Sequence, residues 1–72
     1  MNETLELKIK NLPDSPGCYL MKERGQIIYV GKAVNLKNRV RSYFQNTYHT
    51  PKVAAMVARV DDFDIVLART NL

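Results

Sequence analysis

Between Glu23 and Asp61 the chain carries no acidic residue. Arg24, Lys32, Lys37, Arg39, Arg41, Lys52 and Arg59 all fall in that interval, and the acids lie in the flanks. Such a one-signed block, in a chain of formal net charge +4, suits a polyanionic partner, with nucleic acid first. Cysteine is nearly absent. Cys18 alone excludes an internal disulfide framework and fits a reducing compartment; in an apolar strand it reads as a buried, inert thiol. His49 is the one histidine, and with no cysteine or aspartate cluster around it a structural zinc site is not expected. Contact with a phosphate from a loop is the sharpest role its position allows. No apolar run approaches the length of a membrane span, and Met1 to Lys10 alternates charge with leucine, unlike the core of a signal peptide. A soluble, cytoplasmic protein is expected. At 72 residues and 46% hydrophobic composition, there is enough apolar material for one small domain with marginal burial.

Along the chain, Leu5, Ile9 and Leu12 share a helical face and Asn2 can cap it, although Leu5, Leu7 and Ile9 also alternate like a strand. A short helix is the preferred reading. Pro13 to Pro16 is a turn. Gly17 to Lys22 and Gln26 to Val30 then form a hairpin. A two-residue loop at Arg24-Gly25 would force arginine to positive φ, so a three-residue loop, Glu23-Arg24-Gly25, is expected. That register places Tyr19 directly opposite Tyr29. Gly31 reads as a turn between strand and helix. Asn35 caps a helix to about Gln45, with Leu36, Val40, Tyr43 and Phe44 as its apolar stripe. Arg39 and Tyr43 share one edge of that stripe, and Lys37 and Arg41 the other. After a loop through His49, Thr50-Pro51 opens a second helix that buries Val53, Met56, Val57 and Val60. Asp62 to Ala68 reads as a third strand. The expected fold is α+β, a small three-stranded antiparallel sheet with flanking helices. The stop at Leu72 suggests a piece cut short before a last helix over the sheet.

The junction between second strand and helix gathers phenols and cations. Arginine can hold a phosphate by paired hydrogen bonds, whereas lysine acts as a point charge. Cations beside a tyrosine favour its phenolate, so Tyr29 near Lys32 and Arg39 can serve as base or nucleophile. Equally, both tyrosines can be strand aromatics with satisfied hydroxyls while the cations dock DNA. Gly31 is either a turn residue or a point where phosphate approaches the backbone.

Gly17-Cys18-Tyr19 and Tyr29-Val30-Gly31 resemble the two halves of the GIY-YIG nuclease motif. Leu12-Pro13-Asp14-Ser15-Pro16-Gly17, Ile28-Tyr29-Val30-Gly31-Lys32-Ala33, Asn35-Leu36, Asn38-Arg39-Val40 and Arg41-Ser42-Tyr43-Phe44 are similar to the N-terminal domain of the UvrC family, the incision subunits of bacterial nucleotide excision repair. The resemblance implies a metal-dependent DNA endonuclease that cuts on the 3′ side of a lesion with one divalent ion, magnesium or manganese. It gives Tyr29 the activation of water and Arg39 the charge on the scissile phosphate. Tyr19, Lys32 and Tyr43 position the reacting groups, while Lys37, Arg41 and Gly31 are expected at the DNA. The implied partners are damaged double-stranded DNA and a UvrB–DNA complex. The metal ligand implied is a glutamate on a helix after the third strand, beyond Leu72, so these 72 residues alone are expected to be inactive. A non-catalytic nucleic-acid-binding module, or a homing or restriction enzyme of the same motif, are the alternatives.

Overall fold

A computed structural model describes residues 2–45 and 48–69. In chain order it contains α1 (Glu3–Lys10), β1 (Gly17–Glu23), β2 (Gln26–Ala33), α2 (Leu36–Gln45), α3 (Pro51–Arg59) and β3 (Asp62–Leu67). The strands form one antiparallel sheet in the order β2-β1-β3, as the α+β expectation requires. The loop from Gln45 to His49 and the end at Leu72 fall partly or wholly on residues 46–47 and 70–72, outside the described ones.

Local chemistry accounts for the helix starts. Asn2 Oδ1 accepts from the Leu5 N–H at 2.6 Å, and Glu3 and Glu6 precede Lys8 and Lys10, the order that complements the helix dipole. Leu5, Ile9 and Leu12 are buried while Leu7 is exposed, which settles the period in favour of helix. At α2, Asn35 Oδ1 accepts from the Asn38 N–H at 2.9 Å. The turn before β1 supplies two more acceptors, because the N–H groups of Leu36 and Lys37 donate to the carbonyls of Ser15 and Pro13. Donors that a helix start leaves free are thus satisfied, and β1 and α2 are tied at one end.

Along β1 the positions of Gly17, Tyr19 and Met21 face inward. Met21, Phe63, Leu36 and Val40 are fully buried and form the centre of the core with Leu5 and Ile9. Cys18 lies on the other side of the pleat and is half-buried, a correction to the buried thiol expected. Helix α3 begins at a Thr50 cap and Pro51 as expected. Its apolar face is less covered than its pattern suggests: Val53, Met56 and Val57 are half-buried, and only the cap residue Val60 is buried. The reason is a groove between α3 and β2, lined by Ile28 and Tyr29 on one side and Val53 and Met56 on the other.

The hairpin corrects the expected register. Glu23 pairs with Gln26 and Lys22 with Ile27, so the loop is the two-residue Arg24-Gly25. Both residues have positive φ, 51° and 81°, which is the mirror-image turn that suits strand twist. The arginine is held there by its own N–H, which donates to Asp61 Oδ2 at 2.9 Å. Continued unbroken, this pairing would put Tyr19 and Tyr29 on opposite faces. Instead a bulge at Ile28 shifts the register, so that Met21 pairs with Tyr29, Leu20 with Val30 and Tyr19 with Gly31. The shift restores the parity of the three-residue loop. Tyr29 therefore shares the face of Tyr19 as a diagonal neighbour, and Ile28 packs against the core from the bulge.

Candidate active site

Three phenols meet where the sheet face runs under α2. Ring centroids lie 6.3 Å apart for Tyr19–Tyr29, 5.6 Å for Tyr19–Tyr43 and 6.4 Å for Tyr29–Tyr43. The hydroxyls of Tyr19 and Tyr43 share a hydrogen bond of 2.8 Å. Tyr19 is buried, Tyr43 half-buried and Tyr29 41% exposed, so the cluster opens to solvent on the side of Tyr29. His49 closes the back. Its ring stacks on Tyr43 with centroids 6.1 Å apart, and its Nε2–H donates to the Tyr43 carbonyl at 2.8 Å. That carbonyl is among the last of α2, whose acceptors have no partner within the helix. The histidine thus caps a helix and braces a phenol, which no local period in the sequence signals.

Gly31 is inside β2, not in a turn, and its role is steric. A Cβ there would occupy the place of the Tyr19 ring carbon and hydroxyl. The glycine makes room for a phenol, and on that side the phenol covers its backbone against phosphate. The turn into α2 is Val34-Asn35.

Arg39, exposed on α2, lines a shallow cleft with Ala33, Val34, Asn35, Asn38 and Ser42. Its charge lowers the pKa of both Tyr29 and Tyr43, yet other causes outweigh it. Tyr29 is raised above the ordinary 10.0, first by hydrogen bonding with Tyr43, and Tyr43 is raised first by burial and then by its bond to Tyr19. The phenolate expected at Tyr29 is therefore corrected: both hydroxyls are held protonated. The second cation acting on Tyr29 is Lys52, at the first turn of α3. Lys32 pairs with Cys18, so strand alternation carries it to the other face of the sheet. Lys37 and Arg41 line a separate groove between α1 and α2 with Glu6, Lys10 and Phe44. They lie on the far edge of α2 from the phenols, as the spacing predicts.

The acids of β3 and the hairpin lie elsewhere and are engaged. Lys8 Nζ bridges to Asp62 at 2.6 Å and also donates to the Phe63 carbonyl, Lys22 reaches Asp64 at 3.1 Å, and Arg59 holds Glu23 at 2.8 Å. The Lys8 contact depresses the pKa of Asp62. Among the described residues no group of three or more His, Cys, Asp or Glu could hold a metal ion. Hard divalent cations favour carboxylate oxygens; the phenol cluster offers neutral ones, so these residues do not form a metal site by themselves.

A family model described as the UvrC-like GIY-YIG domain matches residues 15–72. UvrABC system protein C of Limosilactobacillus reuteri is 62% identical over 71 residues, covering 97% of this chain and 12% of that protein. The same protein of Caldicellulosiruptor saccharolyticus is 54% identical over 70 residues, covering 96% and 12%. The chain thus spans about an eighth of the length of these curated relatives. Among solved structures, the GIY-YIG N-terminal endonuclease domain of UvrC from Thermotoga maritima, bound to magnesium as its catalytic divalent cation, superposes with a TM-score of 0.79 at 37% identity. That match covers 94% of this chain and 74% of the other. A point mutant of the same domain with phenylalanine in place of a tyrosine, also bound to the cation, gives 0.81 at 35% identity and covers 99% and 76%.

Proposed function

The chain belongs to the UvrC-like GIY-YIG family, and from that premise we propose that it is the DNA-cutting domain of a nucleotide excision repair protein. The substrate proposed is damaged double-stranded DNA, presented as a complex with UvrB in the bacterial cytoplasm, and the bond hydrolysed lies on the 3′ side of the lesion. The observation that carries this reading is the meeting of three phenols, one exposed, with the charge of Arg39 acting on two of them.

The residues divide the work by their surroundings. Arg39 is exposed and donates to the non-bridging oxygens of the scissile phosphate, stabilising charge as it grows. Tyr29, the open member of the cluster, aligns the attacking water; once its own proton has passed to solvent, the phenolate accepts the proton of that water. Tyr43, hydrogen-bonded to Tyr19, packs edge-on against the Tyr29 ring and helps fix its position. With both titrating phenols held protonated, Arg39 and Lys52 alone do not supply enough positive charge for a phenolate near neutral pH. A divalent cation, magnesium or manganese, would add that charge when bound. Tyrosine-to-phenylalanine mutants of the Thermotoga domain are solved with the cation bound, so those phenol hydroxyls are not needed to hold it there. Lys32, on the other sheet face, is assigned to DNA contact at the strand edge, with Lys37 and Arg41.

The test is a lesion-bearing duplex incubated with magnesium and a full-length UvrABC system protein C that carries this chain as its N-terminal domain, with its partner proteins. The expected product is a single nick on the 3′ side of the lesion that disappears with chelator. Binding without any metal-dependent nick would identify a non-catalytic binding module.

A further inference from the structure

The groove between β2 and α3 begins at Tyr29 and is not used by the chemistry above. It has a volume of about 450 Å³ and is lined by Ile28, Tyr29, Lys52, Val53, Met56 and Arg59, with Ala55. A volume of that size holds a small ligand. Its floor is apolar and its two cations stand at the rim. Arg59 is committed, since Nε and Nη2 both donate to Glu23 Oε1 at 3.1 and 2.8 Å. Lys52 is exposed and, among the described residues, has no ion-pair partner.

The position of Lys52 is informative. It follows Pro51 in the first turn of α3, which contains no acid. A helix start favours negative charge and disfavours lysine, so this residue is placed against local stability. Local rules are broken where a site needs them broken, and an anion on Lys52 would satisfy its charge. The apolar floor directly below suits a flat or puckered organic group attached to that anion.

We propose that this groove seats the nucleotide adjoining the scissile phosphate, with Lys52 on its phosphate and Ile28, Val53 and Met56 against its sugar and base. The proposal deepens the nuclease reading and rests on it. The phenol face and the groove then form one track along the edge strand β2, with Arg39 on one side of Tyr29 and Lys52 on the other. The electrostatic influence of Lys52 on Tyr29 agrees with this placement.

A set of lesion-bearing duplexes tests it, each with one phosphate on the 3′ side replaced by an uncharged methylphosphonate. Equilibrium affinity is measured for full-length protein carrying this domain, as wild type, Lys52→Ala and Lys52→Arg; the substituted side chain is exposed, so folding is preserved. In wild type, one replacement next to the cut weakens binding about tenfold, the scale of a charge-assisted hydrogen bond. In Lys52→Ala that penalty vanishes while those at other positions stay, and Lys52→Arg restores it. An identical penalty profile in wild type and Lys52→Ala would overturn the proposal. The same samples are scored for nicks: their absence with magnesium counts against the nuclease reading, while the affinity comparison needs no turnover.

Discussion

Tyr29, Tyr43 and Gly31 carry most of the chemistry that single residues can be held to. The two phenols titrate above 10.0 because bonding within the cluster and burial outweigh the pull of Arg39. Their folded pKa values exceed the unfolded ones, so the stabilisation they give is complete below about pH 10 and is lost as pH rises through the folded values. Near-ultraviolet titration of phenolate should show two tyrosines ionising late, and Arg39→Ala should delay them further; an earlier transition in that variant would mean the arginine is remote from the cluster. Gly31→Ala pushes a methyl group into the Tyr19 ring, which is buried and hydrogen-bonded and has little room to yield. The expected cost is about 1–3 kcal/mol in urea unfolding, the usual range for overpacking, with nicking lost and duplex affinity kept. A loss of affinity in step with activity would assign Gly31 to DNA after all. The sequence showed that these residues belong together; it did not show why. A glycine at the motif's end reads equally as a turn, a phosphate contact or a space for a ring, and only the cross-strand partner decides.

At the scale of elements, the hairpin was the part least legible from sequence. The strain of positive φ at Arg24 argued for a longer loop, and the chain accepts that strain because Asp61 binds the arginine N–H. The bulge at Ile28 then restores the face that the shorter loop would have reversed, and nothing in a run of apolar β-branched residues marks which one is extra. Helices were easier to read: Asn2, Asn35 and Thr50 each cap where the pattern puts them. The face of α3 was overestimated because an amphipathic period records apolar residues, not what covers them. Arg24→Asn creates the favoured Asn-Gly turn and relieves about 1 kcal/mol of left-handed strain. The urea midpoint should rise with an unchanged slope; an unchanged midpoint would show that the turn is not strained at this residue.

Across the whole molecule, the charges separate into two regions. The acids of β3 and the hairpin tip are paired with Lys8, Lys22 and Arg59. Arg39 of α2 and Lys52 at the start of α3 flank the phenols, Lys37 and Arg41 lie along the other edge of α2, and among the described residues no base-reading element stands beside them. DNA binding by the domain should therefore be weak, indifferent to sequence and steep in salt, because phosphate contacts dominate. Lys37→Ala and Arg41→Ala should each lower affinity equally for unrelated duplexes and flatten the salt dependence by about one phosphate contact. Sequence preference surviving at high salt would contradict that. The central claim is that the open phenol of the cluster handles a proton of the reaction, and Tyr29→Phe tests it most directly, since it keeps the ring and removes only the hydroxyl. In the full-length protein with magnesium and a lesion-bearing duplex, this variant should bind as wild type and make no 3′ nick. Equal nicking by the two would contradict the account and leave Tyr29 a strand aromatic.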